Sequence, residues 1–323
     1  MDGIKRNSTE EFLVTIVTPA YNEVENIGVL YKEICQVLDP GGVHWEWIVI
    51  DDHSSDNTFN LVAEIAQNDP RVCCLRFSKN FGSHAAIACG LNQSRGNCAV
   101  VIAADLQDPP NLIPQLLEKW RDGSQVIWAV RSQRSGEKWI NVCFARLYYW
   151  LMRNVVGVRQ IPENGADFFL IDRCVVNALQ QFAEKNISIF ALIMWMGFSQ
   201  TSILYDKQVR QRGSSGWSIE KKVKLVIDSI TSFTYLPIRA MSYLGFGFGC
   251  LGFLYALLVF FNFLLRIPVQ GWSSLMIVVL VVGGTQMVMM GILGEYLWRA
   301  LDESRHRPSY IIEAKAGQEL KTK

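Results

Sequence analysis

Five acidic side chains, Glu23, Asp51, Asp52, Asp105 and Asp108, each follow closely on an apolar segment with the composition of a β-strand. Acids at strand ends converge on one crevice when the strands run parallel, because ligands of such sheets bind at the carboxyl edge. The chain has no GxGxxG after its first apolar segment and no GxxxxGK[ST] anywhere. The glycine-rich cradles of dinucleotide oxidoreductases and P-loop NTPases are therefore missing. A nucleotide bound without such a cradle needs another way to hold its diphosphate. A divalent metal on acidic ligands supplies one, since Mg2+ is commonly held by one or two carboxylates together with phosphate oxygens. Asp56, in the turn DDHSSDNT, reads as a turn or helix-capping residue.

The elements that must position these acids alternate in period. FLVTIVTPAYNE predicts a strand ending in a loop, ENIGVLYKEICQVL a helix, and WEWIVIDDHSSDNT a strand stopping in a polar turn. The rhythm continues with NLVAEIAQ as helix, VCCLRFS as strand, SHAAIACGLNQS as helix, CAVVIAADLQDPP as strand into loop, NLIPQLLEKWRD as helix and QVIWAV as strand. Alternation of this kind predicts an α/β fold with a mostly parallel sheet. The net charge of +1, from 31 basic and 30 acidic residues, argues against a nucleic-acid partner. Eight cysteines without a CxxC pair predict buried thiols rather than a zinc site or disulfides. The polar start, MDGIKRNSTEE, lacks the apolar region of a secretory signal and predicts a cytosolic N-terminal region.

Half of the residues are apolar and the mean hydropathy is +0.15, an excess that the last third of the chain accounts for. Uncharged runs lie between Arg239 and Arg266 and between Arg266 and Glu295. Each exceeds the ~20 residues that cross the hydrocarbon core, and neither has a polar stripe. The short link RIPVQGWSS predicts a hairpin. Lys221, Lys222, Lys224 and Arg239 before it and Arg299, Arg305 and Arg307 after it place both ends in the cytosol. Gly245, Gly247, Gly249 and Gly252 in the first run, and Gly283, Gly284, Gly291 and Gly294 in the second, predict close packing within the hairpin or in an oligomer. Two further stretches, KWINVCFARLYYWLMRNVVGV and WSIEKKVKLVIDSITSFTYLP, mix basic residues with aromatic faces and predict helices lying at the membrane surface.

TPAYNE, DDHSSDNT, KNFGSHAAIACGL, ADLQDPP, ADFFLIDR, RQRGSSGWS and GEYLWR occur in an order that resembles the family 2 glycosyltransferases with a GT-A fold. The likeness is to the polyisoprenyl-phosphate glycosyltransferases of the GtrB and dolichol-phosphate mannose synthase type, and covers nearly the whole chain. It implies a GT-A domain over residues 1–213, an amphipathic juxtamembrane segment over 214–239, two transmembrane helices within 240–298 (about 241–265 and 273–297) and a cytosolic tail over 299–323. It also implies a homo-oligomer, with a tetramer as one form, in the cell inner membrane.

By the same resemblance Pro19, Tyr21, Glu23 and Asp51 bind the nucleotide, with Asp52, Lys79 and Ala104 beside them. ADLQDPP matches the family's metal-binding segment, but its first acid is Ala103 here. That leaves Asp105 as principal ligand of Mg2+ or Mn2+ and Gln107 as a neutral oxygen donor. Asp108 is either a contributor or a helix-start residue. ADFFLIDR places Asp167 at the position of the catalytic carboxylate. A sugar hydroxyl needs a base, whereas a lipid phosphate with a second pKa of ~6 is largely dianionic at neutral pH, so Asp167 is expected to orient the acceptor. Arg131, Arg134, Arg210 and Arg212 are candidates for phosphate contact, Arg210 as a catalytic group and Ser215 as an acceptor contact in the glycine-serine loop. Ser214 and Gly216 stand where that loop usually carries Glu and Lys. His84 reads as a helix-start residue.

The implied reaction is inverting transfer of a hexose, with UDP-glucose as first choice, to a polyisoprenyl phosphate such as undecaprenyl phosphate. Two other readings stand beside it. A nucleotide-binding membrane scaffold without turnover is favoured by Ala103, and a polysaccharide synthase would need more spans and a QxxRW segment. The hairpin is expected to be dispensable for donor binding, so that a chain ending before Met241 keeps it and loses lipid transfer.

Overall fold

The computed structural model describes residues 11–132, 167–182, 188–206, 234, 236–265 and 271–317. Two units partition the chain, residues 1–229 with 308–323 and residues 230–307.

The first unit is built on an eight-stranded sheet. Its strands are β1 (Leu13–Ala20), β2 (His44–Asp51), β3 (Val72–Phe77), β4 (Cys98–Val101), β5 (Val126–Arg131), β6 (Phe168–Asp172), β7 (Gln200–Tyr205) and β8 (Ile312–Gly317). They lie in the order β7-β5-β6-β4-β1-β2-β3-β8. The β4-β1-β2-β3 block is parallel throughout, and β6 enters antiparallel between β4 and β5. Near-continuous apolar runs make the parallel strands, as expected of strands covered on both faces: Val14, Ile16, Val17, Val49 and Ile50 are wholly buried. Glu46 in β2 is a buried charged exception, and it is satisfied by the Thr15 hydroxyl at 2.6 Å, the Arg95 backbone N–H at 2.7 Å and Arg95 Nε at 2.8 Å.

Crossover helices α1 (Val24–Leu38), α2 (Thr58–Asn68), α3 (Ser83–Gln93) and α4 (Ile113–Arg121) follow the strands as the sequence predicts. Short helices α5 (Arg173–Leu179) and α6 (Ile189–Trp195) follow β6. A Cβ on Gly90 would lie 2.2 Å from Val17 Cγ1, so α3 approaches β1 this closely only with glycine there.

The second unit contains α7 (Leu236–Leu264) and α8 (Trp272–Ser304). Both are long and apolar enough to cross a membrane, over Pro237–Asn262 and Leu275–Ser304, and their apolar windows are exposed among the described residues. Phe246 and Met287 are each 74% exposed, which a core helix of a soluble protein would not tolerate. The Ser242 and Thr285 hydroxyls donate to carbonyls one turn back, so they carry no unsatisfied donor into an apolar surround. Of the glycines, Gly245 alone among those described meets the opposite helix, with its Cβ position 3.4 Å from Met289 Cε.

The segment after the helices departs from the expected tail. Residues 312–317 pair antiparallel with β3 as the edge strand β8. Its alternating partly buried and exposed residues in IEAKAG match a strand with one covered face. Both surface-helix stretches, including Lys138, Arg146 and Arg153, lie outside the described residues, apart from residues at the end of the second.

Candidate active site

Three neighbouring strands, β4, β1 and β2, each end in a turn with a residue in the left-handed region: Leu106 (φ 58°), Asn22 (φ 56°) and His53 (φ 62°). Non-glycine residues adopt this conformation at a cost, and clusters of it mark sites whose surroundings hold the backbone in place. Around Asn22 the hold is visible. Its Oδ1 accepts from Ser55 N at 2.8 Å, and its own N–H donates to Ser54 Oγ at 2.9 Å. Asp56 accepts from Val24 N at 3.2 Å and from Thr58 N at 3.0 Å, tying the starts of α1 and α2 together. Asp56 is thus a capping residue.

The acids at the ends of β1 and β2 divide by what they already hold. Asp52 is buried, and its two oxygens accept from Phe81 N at 2.6 Å and Gly82 N at 2.8 Å. Burial pushes its carboxyl above the usual range against the pull of those two N–H donors. Asp52 therefore braces the loop that carries Lys79, whose ammonium sits 5.0 Å from the Phe81 ring centroid. Glu23 accepts from Asn26 Nδ2 at 2.6 Å in the first turn of α1. Asp51, at the end of β2, is wholly buried; Oδ1 accepts from Ser54 N at 3.1 Å, while Oδ2 has an ion-pair partner, Arg76 Nη1 at 3.4 Å, but no hydrogen bond. Pro19 lies at the end of β1 opposite Ile50, and Tyr21 beyond it is 49% exposed.

Asp108 turns inward to a partner on β7. It is wholly buried and hydrogen-bonds the Tyr205 hydroxyl of β7, whose pKa burial and the carboxylate raise well above its ordinary value. The carboxylate before Pro109-Pro110 thus serves as an internal tie to β7, on a hydroxyl that the charges of Arg131 and Asp167 also reach. Asp105 and Gln107 flank Leu106 in the left-handed turn after β4, with Gln107 N donating to Asp105 Oδ1 at 3.2 Å. Ala104 is buried beside them. No group of three or more His, Cys, Asp or Glu side chains forms a metal site among the described residues. One carboxylate and one amide oxygen on a fixed turn fit a cation whose remaining ligands are diphosphate oxygens.

On the other side of β4 the register Val101↔Phe169 carries Asp167 next to the segment leading into Asp105. Arg131, the last residue of β5, donates from Nη2 to Asp167 Oδ2 at 2.6 Å; the arginine side chain is 18% exposed and the aspartate 50%. His84, at the start of α3, stands edge-on to Phe190 of α6. Its Nδ1 is sealed without a partner, and burial lowers its pKa to about 4 although Asp167 opposes the shift. The partly buried imidazole is therefore neutral at ordinary pH, and it stands within reach of the Asp167 charge.

The structure thus brings Glu23, Asp51, Asp52, Lys79, Asp105 and Gln107 to the ends of β1, β2 and β4 and the loop after β3, and Asp167 and Arg131 to the ends of β6 and β5. Arg134, Arg210, Arg212 and Ser215 lie outside the described residues. Sequence reasoning missed Arg76 and Glu313. Arg76 could have been found as the charged residue ending VCCLRFS, but Glu313 has no local signal.

A mostly parallel mixed sheet with acids at its carboxyl edge and an arginine-paired aspartate across the crevice defines a GT-A glycosyltransferase. Residues 15–179 match the family Glycosyl transferase family 2, and the chain belongs to it. It is 36% identical over 300 residues to an uncharacterised glycosyltransferase of Synechocystis sp., covering 93% of this chain and 94% of that one. Bactoprenol glucosyl transferase of Shigella phage SfV is 35% identical over 301 residues, covering 93% and 98%. The fold is similar to that of mannosyl-3-phosphoglycerate synthase from Rubrobacter xylanophilus, with a TM-score of 0.51 and 14% identity over 72% of this chain and 75% of that one.

Proposed function

We propose that this glycosyltransferase moves a hexose, glucose from UDP-glucose as first choice, onto a polyisoprenyl phosphate such as undecaprenyl phosphate at the cytosolic membrane face. The observation that carries the reading is the Arg131–Asp167 pair, set across β4 from the turn holding Asp105 and Gln107. An arginine there can take a phosphate through charge-assisted hydrogen bonds, and a dianionic phosphate needs no base. Similarity to bactoprenol glucosyl transferases supports a polyprenol acceptor. The two exposed apolar helices support a membrane site for it.

In this reading an oxygen of the lipid phosphate attacks the anomeric carbon in line as the bond to the UDP β-phosphate breaks, so the configuration inverts. Arg131 holds the incoming phosphate, and Asp167 orients that arginine while keeping it from collapsing onto the donor. Asp52 fixes the loop bearing Lys79, which lies on the nucleotide side. Mg2+ or Mn2+ bound by Asp105 and Gln107 would neutralise the leaving diphosphate. The chain leaves the sheet before α7 and returns to it as β8 after α8. A hairpin crossing the bilayer twice has both ends on one face, and the basic residues flanking the helices favour the cytosol.

The test is a panel of UDP- and GDP-sugars offered with undecaprenyl phosphate and Mg2+ or Mn2+ to the full chain in lipid. One UDP-hexose should give a lipid-linked sugar, and that product should disappear in Asp105→Ala. Absence of a lipid product with every donor would sink the proposal.

A further inference from the structure

Among the described residues, β8 is the one strand of the sheet contributed by the chain downstream of the apolar helices. It pairs with β3, Cys74 opposite Ala316 and Leu75 opposite Lys315, with a register shift between Arg76 and Phe77. That irregularity falls at the carboxyl end of β3, where Arg76 stands opposite Asp51 of β2. A shift at this point re-aims the side chains around it.

Four elements converge on the Arg76 guanidinium. Glu313 Oε2 of β8 lies 3.5 Å from Nε, Asp51 Oδ2 lies 3.4 Å from Nη1, and Nη2 donates to Ser54 O at 3.1 Å. The Phe59 ring of α2 lies 5.7 Å from its central carbon. Glu313 also lies 3.7 Å from His53 Nδ1, which contacts Phe77 O at 3.0 Å. One guanidinium is therefore shared between two carboxylates, and neither pair has the short, two-pronged geometry that arginine makes with a single carboxylate.

The sharing matters because of Asp51. Its Oδ2 is sealed from solvent and lacks a hydrogen bond, so a nucleobase N–H reaches it only if Arg76 yields. A guanidinium facing Asp51 alone would close on it and occupy both oxygens. With Glu313 on its other side, Arg76 has a second carboxylate to move towards.

We propose that Glu313 is a positioning residue of the donor site, holding Arg76 between two carboxylates so that it can release Asp51 to the nucleotide. Donor recognition then depends on the strand that follows the membrane helices. This rests on the reading that the Asp51 end of the crevice takes a nucleoside diphosphate sugar. β8 is anchored independently of Glu313: the Tyr310 ring just before it stacks on Phe77 at 5.2 Å, and its hydroxyl accepts from Asn92 at 3.3 Å. Substitution of Glu313 should therefore leave the strand in place.

The experiment measures equilibrium UDP binding and steady-state transfer on the full chain in lipid for wild type, Glu313→Ala, Glu313→Gln and Lys315→Ala. Lys315 is exposed on the same face of β8, and its substitution serves as the control for the strand. Both Glu313 variants should raise the UDP Kd and the donor KM by roughly two- to fivefold, the span of a partly exposed ion pair. Their kcat, acceptor KM and unfolding temperature should stay at the wild-type level, and Lys315→Ala should match wild type throughout. Unchanged UDP binding in both Glu313 variants overturns the inference and leaves the donor reading intact, as does a loss that tracks a lower unfolding temperature. Wild-type protein that binds no UDP overturns the donor reading and this inference with it.

Discussion

The two ends of the crevice hold their charges differently. At the donor end Asp52, Asp56 and Glu23 spend their oxygens on nearby backbone N–H groups or a side-chain amide, and three left-handed turns fix the loops. At the acceptor end Asp167 is half exposed and faces the Arg131 guanidinium. In the proposed reading the donor loops are therefore set before the ligand arrives, with Arg76 the one group that must yield at Asp51, whereas the acceptor end is a charge pair that a phosphate must enter and rearrange. The difference suits a soluble nucleotide on one side and a lipid phosphate on the other.

Substitutions should separate the two ends, and the largest effect belongs where they meet. Asp105→Ala should lower turnover by about a thousandfold, since charge stabilisation of a leaving diphosphate is worth several kcal/mol. Steady-state transfer at saturating metal measures it, and near-normal turnover would remove Asp105 from the chemistry. Arg131→Ala should raise the acceptor KM by roughly ten- to a hundredfold, the value of a charged hydrogen bond, with UDP affinity unchanged. An equal loss of donor affinity would erase the distinction between the ends.

Asp52→Ala strands the N–H groups of Phe81 and Gly82, which should cost roughly 1–3 kcal/mol of stability. A lower unfolding temperature and a raised donor KM, with the acceptor KM unaltered, would mark Asp52 as a donor-end brace. The smallest effect is at His84. Its folded pKa of about 4 lies below the ordinary 6.5, so the unfolded chain takes up a proton first as the pH falls. Stability from this group is full above about 6.5 and is lost as the pH drops towards 4. His84→Asn should flatten that part of the stability profile, and an unchanged slope would contradict the burial of Nδ1.

The parallel half of the sheet was legible because its strands are continuous apolar runs that stop in polar turns, as in WIVIDD and AVVIAAD. Asp105 and Asp51 were read for the same reason, since they sit next to those stops, whereas Gln107 was read only from the resemblance of ADLQDPP to the family's segment. Three features were not legible. Asp108 turns inward because Tyr205, nearly a hundred residues further on, needs a partner. His84 does start α3, but the Phe190 ring that it meets edge-on comes from α6, far along the chain. β8 is a short alternating segment behind two apolar helices, and only its pairing with β3 gives it a place.

That pairing also changes what a truncation tests. A chain ending before Met241 lacks β8 along with the helices, leaving the β3 edge unpaired and Phe77 without the Tyr310 ring. Such a chain should aggregate or bind donor poorly, contrary to the expectation from sequence. Removing α7 and α8 while joining a flexible linker to residue 308 isolates the role of the helices.

The most direct test of the two-ended crevice is UDP-sugar affinity measured beside turnover in Asp167→Asn, in the full chain in lipid. The account predicts donor affinity within about twofold of wild type and turnover lower by about a hundredfold or more, because the lost charge acts on Arg131 and the acceptor. Donor affinity falling in step with turnover, or transfer persisting at the wild-type rate, would contradict it.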